Sequence, residues 1–317
     1  MGRSEIDIHA DDYALSVNTS KDMLKLMKEG VLDSISIVPN MSCYERCMEM
    51  LKEEIRTLPF LPLCSVHLDL VEGIRLSEST GNKTSPVNDS WGSLWLSSYD
   101  PFKRKDVKTG LKKELTAQVN KCWDSIKECI DTAKNAGIPC RQKKIRIDSH
   151  QHTHHIPVVW DALTEVIEEN GYEVEYIRNS KEPLRPFLSE TSLFKTYKKV
   201  NLIKNLILNF YSYKIDSYGR RSGSERKGMY LWGLIMSGRM DSYRIEKLID
   251  QVVDKAFSDD RTLEILFHPG LMLRDEWNKE IPEKSAENFY FSPDRTVEYE
   301  AAVNLRKWVD EASGTGK

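Results

Sequence analysis

Short apolar runs alternate along the chain with longer segments of helical periodicity. Strands are predicted where an apolar run is short and ends in polar or turn residues, at 6–10, 31–38, 63–70, 144–147, 172–178 and 263–267. Helices are predicted where apolar residues recur every three to four positions, at 17–29, 42–57, 106–136, 157–170 and 295–312. This alternation predicts an α/β fold whose parallel sheet is closed, or nearly closed, as a barrel.

Polar side chains suited to chemistry stand at the ends of three predicted strands. The first strand ends in Asp11-Asp12, and the third contains His67. The fourth continues into a histidine-rich run, Asp148-Ser149-His150-Gln151-His152-Thr153-His154-His155. Because parallel strands place their carboxyl ends at one edge of a sheet, where α/β folds build their sites, we expect these groups to meet.

One carboxylate and two imidazoles can bind a divalent cation and leave positions open for water and a substrate oxygen. A second carboxylate beside the ion can then act as general base, so Asp11 and Asp12 can divide these two roles. His150, His152 and His154 would share a face if the strand continued, whereas His150 and His154 would pair in a helix. A structural hydrogen-bonding role is the alternative for any one of these histidines.

A further histidine, His268, follows the last predicted strand and suits a general acid that protonates a leaving amine. The alternative is a strand-end histidine without a chemical role.

The net charge of −3 gives no reason to expect nucleic acid or an anionic membrane as a partner. No apolar run approaches the roughly 18–20 residues of a membrane span, and no signal sequence is evident, so we expect a cytoplasmic protein.

Two segments interrupt the alternation. Residues 72–101 form a long polar stretch, typical of a lid or binding loop, in which Trp91 and Trp95 either stack on a ligand ring or pin the loop to the body. Residues 195–228 carry nine basic and two acidic residues, 9 − 2 = +7. They also carry an apolar stripe: Leu202, Ile203, Leu206, Ile207 and Phe210. We expect a docked helix with a solvated charged face, the alternative being a membrane or polyanion contact.

The motifs resemble those of a known family. They are Ala10-Asp11-Asp12-Tyr13-Ala14-Leu15-Ser16, Val66-His67-Leu68, Asp148-Ser149-His150-Gln151-His152 and His268-Pro269-Gly270. In this order they resemble the YdjC family of carbohydrate deacetylases, with further support from Gly30-Val31-Leu32-Asp33-Ser34, from Arg178 with Glu182, and from Gly233-Leu234 before Ser237-Gly238. Two departures are His9 in place of Asn and Tyr13-Ala14 in place of Phe-Gly, which leave the Asp and His set intact.

The resemblance implies an irregular (β/α) barrel. We expect a single domain, 1–317, with a polar loop at 72–101 and a basic helical insertion around 187–228, and the basic segment after Pro186 is longer than the resemblance leads us to expect. The resemblance also implies a hydrolase that removes the N-acetyl group from a chitooligosaccharide-like amino sugar with one divalent ion, Mg²⁺ or Zn²⁺. By motif position, Asp12, His67 and His150 bind the ion, and Asp11 is the base. Substrate contact or support of the ligands is expected of Asp148, His152, His154, Arg178, Glu182, Trp91 and Trp95.

Two alternatives stay open on the same scaffold: a metal hydrolase of another amide or ester, and a non-catalytic sugar-binding protein. The expected partner is the acetylated amino sugar, not nucleic acid or a membrane span. Homodimerisation is left open by the sequence.

Overall fold

The structure is a computed structural model that describes residues 5–78, 87, 89–221 and 228–314. Within these residues, seven parallel strands form one sheet that curls into an open half-barrel. The strands are β1 Ile6–Tyr13, β2 Ser34–Ile37, β3 Leu63–Leu68, β4 Ile145–Ser149, β5 Val174–Ile177, β6 Met229–Trp232 and β7 Thr262–Phe267. Their order is β5-β4-β3-β2-β1-β7-β6, so β1 lies near the middle and β5 and β6 are the edges.

Helices follow the strands and cover the sheet. They are α1 Val17–Lys28, α2 Tyr44–Glu54, α3 Trp91–Ser97, α4 Arg104–Ala136, α5 Pro157–Asn170, α6 Arg185–Ser189, α7 Lys199–Arg221, α8 Ser242–Ser258, α9 Glu283–Ser285 and α10 Asp294–Ala312. The predicted bounds of α5 are confirmed because proline occupies its first position and Gly171, at φ 63°, ends it in the left-handed region. The predicted α/β barrel with parallel strands is likewise confirmed.

Several elements lie outside the sequence predictions, among them β6, α8 and α3. The strand β6 is only four residues long, too short for a clear period of its own. The helix α8 buries a regular apolar face that the predicted elements did not include. The helix α3 lies within the predicted polar loop at 72–101, whose residues 79–86 and 88 fall outside the described residues.

The basic segment is helical as predicted, but α7 docks by the opposite face. Three residues of the predicted apolar stripe are more than half exposed: Ile203 at 58%, Leu206 at 56% and Phe210 at 68%. Asn205, by contrast, is fully buried. Burial lowers the pKa of Lys204 on the same helix to about 8, an effect that the charge of Asp11 partly opposes. The helix is docked as expected, through Leu208, Tyr211 and Ile215, but most of the predicted apolar stripe faces outward.

One hydrophobic cluster takes in residues from Ile6 in β1 to Val309 in α10. It packs the helices against the outside of the curled sheet, as a single-domain protein would, and the boundary 1–317 stays a prediction. Among the described helices, none is long and apolar enough to cross a membrane.

Candidate metal and active site

Three side chains from different strands converge at the carboxyl end of the half-barrel. Asp12 comes from the end of β1, His67 from β3, and His150 from the 3₁₀ turn directly after β4. Oδ1 of Asp12 lies 3.3 Å from Nδ1 of His150 and 3.8 Å from Nε2 of His67. One ligand atom from each residue can be chosen so that all lie within 4.8 Å of one another. An Asp-His-His set at this spacing is suited to a divalent ion.

The hydrogen-bond state of these atoms also fits a cation. Oδ1 of Asp12 and Nε2 of His67 are buried and have no hydrogen-bond partner. Leaving buried polar atoms unpaired is costly unless something else satisfies them. A divalent ion would satisfy both atoms, and an oxygen with two imidazole nitrogens accommodates Zn²⁺ and other divalent ions.

Backbone geometry contributes to the position of Asp12. Its φ of 73° places it in the left-handed region, and Ala14 at φ 69° is there as well. Non-glycine residues adopt this region rarely, and such strain is concentrated at functional sites. The turn is held by the Ala14 amide, which donates to Oγ of Ser20, and by Ser16, which caps α1. Adjacent aspartates of a regular strand would point to opposite faces, and this turn directs Asp12 towards His67 and His150.

Asp148 orients one of the candidate ligands. Its Oδ1 lies 2.7 Å from Nδ1 of His67, and its Oδ2 accepts a hydrogen bond from Oγ of Ser36 at 2.5 Å. A carboxylate on one imidazole nitrogen fixes the tautomer and directs the other nitrogen to a metal. Burial raises the pKa of Asp148, but the charges of Arg178 and His67 outweigh it and lower that pKa. Asp148 therefore lies behind His67.

Asp11 is held by an arginine. Both guanidinium nitrogens of Arg178 donate to its two oxygens, at 2.8 and 2.9 Å, and Nε2 of His9 lies 3.0 Å from Oδ1. Burial raises the pKa of Asp11, but the charges of Arg178 and then His67 outweigh it and hold that pKa well below its usual range. Asp11 is thus held in its ionised form, and its Oδ1 lies 4.0 Å from Nδ1 of His67.

A second group of acidic residues surrounds His150. The hydroxyl of Tyr290 lies 3.1 Å from Nε2 of His150 and donates to Glu72 at 2.6 Å. Burial lowers the pKa of His150, but the carboxylates of Asp69, Asp12 and Glu72 outweigh it and raise that pKa to about 10. In the metal-free protein His150 therefore carries a proton at neutral pH, which a cation would have to displace.

The helix α10 adds two residues that no sequence pattern indicated. A guanidinium nitrogen of Arg295 donates to Oδ2 of Asp12 at 2.5 Å, and the guanidinium lies over the ring of Tyr290. One turn later, Glu298 accepts a hydrogen bond from the backbone amide of His268 at 2.6 Å, and its Oε2 lies 3.6 Å from Nδ1 of that imidazole. The His268 side chain is 22% exposed, so solvent and ligands can reach it.

The other predicted residues have separate surroundings. His152 lies 2.9 Å from Oγ of Ser180, and burial holds its pKa well below the usual range. His154 is fixed between Oγ of Ser149 and the carbonyl of Arg178, as a structural histidine would be.

Glu182 accepts hydrogen bonds from three successive backbone amides and from Asn205, so its carboxylate holds the chain after β6 in place. Trp91 and Trp95, on α3, are half-buried against the core, and Trp95 donates to the hydroxyl of Tyr211.

A further cavity lies elsewhere. It has a volume of about 980 Å³ and opens at the amino-terminal end of the strands, with Ile6, Leu63, Val174 and Thr262 in its lining. None of the candidate metal or acid-base residues lines it. Parallel-strand barrels place their chemistry at the carboxyl end, and the Asp12 cluster is at that end.

The fold and this cluster define an open (β/α) barrel with a candidate metal site at its carboxyl end. The chain matches the family model described as YdjC-like protein over residues 5–131 and 142–308. It therefore belongs to the YdjC-like family, as its motifs predicted.

Two individual proteins are similar to the chain over nearly its whole length. A carbohydrate deacetylase of Oceanobacillus iheyensis is 23% identical over 308 residues, which are 96% of this chain and 99% of that protein. A crystal structure from Enterococcus faecalis V583, provisionally assigned as a cellobiose-phosphate cleavage protein, aligns with a TM-score of 0.50 and 18% identity. That alignment covers 98% of this chain and 95% of the other, and it supports the fold alone.

Proposed function

We propose that this chain is a divalent-metal-dependent hydrolase that removes the N-acetyl group from an acetylated, chitooligosaccharide-like amino sugar and releases acetate. The observation that carries the proposal is the cluster of Asp12, His67 and His150, with two buried atoms that have no hydrogen-bond partner. Similarity to a carbohydrate deacetylase over nearly the full length of both chains supports the substrate class.

The three residues would hold the ion through one carboxylate oxygen and two imidazole nitrogens. When bound, a divalent ion supplies Lewis acidity to the acetyl carbonyl and lowers the pKa of water. Asp148 keeps the tautomer of His67 suitable for binding, since its carboxylate occupies Nδ1 and leaves Nε2 free. Asp12 is correspondingly fixed by Arg295 on one oxygen and directs the other to the cluster.

Asp11 is the proposed general base. It lies next to Asp12 in the chain, and the charge of Arg178 keeps it ionised, so it is always ready to accept a proton from water. The same charge makes it a weak base, because a carboxylate with a lowered pKa gains little from taking the proton. Arg178 also pairs with Glu264 and Asp148. Because one positive charge is shared among three carboxylates, Arg178 neutralises the charge of Asp11 less than it would in an isolated ion pair.

His268 is the proposed general acid. An amine expelled without a proton is a very poor leaving group, so breakdown of the tetrahedral intermediate requires a donor at the nitrogen. His268 follows β7, the strand that neighbours β1 on the side away from β2, and Glu298 holds its backbone amide. Its partial exposure leaves room for a sugar amine to approach.

Release of acetate from a panel of substrates tests this proposal. The panel contains N-acetylglucosamine oligomers, O-acetylated sugars and an N-acetylated peptide of similar size. Turnover that requires the N-acetyl sugar supports the proposal. Preference for another amide or for an ester would assign the same residues to a different hydrolase. Sugar binding without release of acetate from any substrate, with metal present, would indicate a non-catalytic binding protein.

A further inference from the structure

The inner face of the half-barrel is polar towards its amino-terminal end as well as at its carboxyl end. Arg146 precedes Asp148 by two positions in β4, and Asp7 precedes His9 by two positions in β1. Because alternate residues of a strand share a face, Arg146 and Asp7 point to the same interior as the candidate metal site, nearer the other end. Both line the cavity of about 980 Å³ described above, which we call the lower cavity.

Arg146 is buried without a hydrogen bond. Its side chain is 1% exposed, and none of its three guanidinium nitrogens has a hydrogen-bond partner among the described residues. Its ion-pair contacts are long, since Nη2 lies 3.8 Å from Oδ2 of Asp7 and Nη1 lies 3.9 Å from Oε1 of Glu175. A buried guanidinium that donates no hydrogen bond is costly unless something else accepts from it. The two carboxylates therefore balance its charge and leave its donors unused.

The carboxylates beside Arg146 can themselves accept hydrogen bonds. Oε1 of Glu175 is buried and has no hydrogen-bond partner within the described part of the chain. Asp7 accepts from Oγ of Ser34 through Oδ1, at 2.5 Å, and turns Oδ2 towards Arg146. The lower cavity thus presents donors and acceptors side by side, 3.8 to 3.9 Å apart.

Much of the remaining wall is apolar or aromatic. Leu63 and Val174 line the lower cavity, and so do the rings of Phe60 and Tyr218. The guanidinium of Arg146 lies over the ring of Tyr176, 4.2 Å from its centroid, which fixes the plane of the donors. Apolar walls with a few convergent polar groups, in a volume within the roughly 300–1,000 Å³ of ligand pockets, are typical of a small-molecule site.

We propose that the lower cavity binds a neutral sugar, whose hydroxyl groups accept from Arg146 and donate to Asp7 and Glu175. A hydroxyl group both donates and accepts, so adjacent hydroxyls on a sugar ring match adjacent donors and acceptors on the protein. The apolar face of the ring can pack against Phe60 or Tyr218. No candidate metal or acid-base residue lines this cavity, so the proposal does not depend on the proposed hydrolase activity.

The charges around the lower cavity disfavour an ionic ligand. Five acidic residues and three arginines line it. An anion that reached Arg146 would also lie beside the carboxylates of Asp7 and Glu175, and a cation at those carboxylates would lie beside the guanidinium. Both arrangements bring like charges together where water screens them poorly. A neutral ligand avoids both repulsions and still uses the donors and acceptors.

Titration calorimetry of the full chain with neutral sugars tests the proposal. The panel contains glucose, galactose, xylose and cellobiose, which lack the acetyl group that the proposed hydrolysis requires. At least one of them should saturate a single site per chain. Inorganic phosphate, added as the charged competitor, should leave that affinity unchanged.

Two variants locate the binding. Glu175→Ala and, separately, Arg146→Met should each weaken it by roughly 10- to 100-fold, the loss expected of a hydrogen bond to a charged group. Glu173→Ala is the matched control, because Glu173 lies two positions away in sequence, is 76% exposed and does not line the lower cavity, and it should bind as the wild type does. Circular dichroism checks that the variants are folded, and Glu175→Ala alone suffices if Arg146→Met is not.

Four results would overturn the proposal. The first is no saturation by any sugar of the panel up to roughly 20 mM. The second is binding that the folded variants of Glu175 and Arg146 leave unchanged. The third is displacement of the sugar by phosphate, which would assign the lower cavity to an anion. The fourth is loss of sugar binding in His67→Ala, which would place the sugar at the candidate metal site. Release of acetate is a separate measurement, so failure here leaves the proposed hydrolase activity standing.

Discussion

Arg295 donates a hydrogen bond to Oδ2 of Asp12 at 2.5 Å, and Oδ1 of the same carboxylate faces His67 and His150. Burial raises the pKa of Asp12, but the charges of Arg295 and His150 outweigh it and lower that pKa far below its usual range. Arg295 and Asp12 are 283 positions apart in sequence. The candidate site therefore contains a residue of α10 as well as the end of β1. Arg295 both fixes Asp12 and supplies positive charge in the metal-free protein.

Removal of this arginine should make stability depend on the metal. Arg295→Gln removes the stronger of the two positive groups that face the buried Asp12 carboxylate, which should destabilise the metal-free protein by about 3 kcal/mol. A divalent cation at Asp12 would restore part of that charge balance, so added metal should raise the melting temperature more in the variant than in the wild type. Thermal denaturation with and without metal measures this.

A matched control lies on the same helix. Arg306 pairs with Asp33 at 2.5 Å and is also buried, but Asp33 follows α1 at the entrance to β2, away from the metal candidates. Arg306→Gln should lose comparable stability without gaining any extra response to metal. Equal metal responses in Arg295→Gln and the wild type would contradict the role assigned to Arg295.

Metal retention should require both histidines. His67→Ala and His150→Ala each remove one of three ligands from a small site, so each variant should largely lose its metal after desalting, and the fold should persist because strand tips contribute little core packing. His152→Asn, which changes a neighbouring histidine bonded to Ser180, is the control and should retain the ion. Elemental analysis measures the metal content of each variant. A full equivalent of metal in the double variant His67→Ala/His150→Ala would exclude this ligand set.

Metal affinity should rise with pH. His150 in the metal-free protein has a pKa of about 10, above its ordinary 6.5, so below pH 10 a binding ion must displace its proton. Affinity should then increase by about tenfold per pH unit between pH 6 and 8, with about one proton released per ion. Titration calorimetry in buffers of different ionisation enthalpy measures the release, and affinity independent of pH would contradict it.

The same raised pKa has a consequence for the metal-free fold. The protonated form of His150 is the one favoured by its carboxylate neighbours, so its stabilisation is complete below pH 6.5 and is lost as pH rises towards 10.

His268 should matter most when the leaving group needs a proton. His268→Ala should greatly reduce hydrolysis of the sugar amide, whereas an acetate ester with a good leaving group should be affected much less, because it departs without protonation. Rates for the two substrates give the comparison. Equal losses on both would identify His268 as a positioning residue.

Much of the candidate site could be predicted because it depends on strand ends. Parallel strands that terminate in Asp12, His67 and the His150 turn necessarily bring these side chains to one edge of the sheet. The bounds of α5 could also be predicted, because Pro157 and Gly171 are local sequence signals for the start and the end of a helix.

Arg295 and the orientation of α7 could not be predicted in this way. Nothing near Arg295 in sequence distinguishes it from a solvated helix residue, and its role depends on a contact with β1. The apolar pattern of α7 predicts that Leu206 faces the core, whereas the structure buries Leu208 together with Asn205, which bonds to Glu182. Local pattern gives the helix, and long-range contacts decide which face is buried.

Acetate release by metal-stripped protein, as a divalent ion is added back, tests the central claim most directly. We expect no release without metal, recovery near one equivalent, and a loss of roughly a hundred- to ten-thousand-fold in kcat in Asp11→Asn, which should still retain the ion. Release that is undiminished after complete removal of metal, or an Asp11→Asn variant within a few-fold of the wild type, would contradict the account.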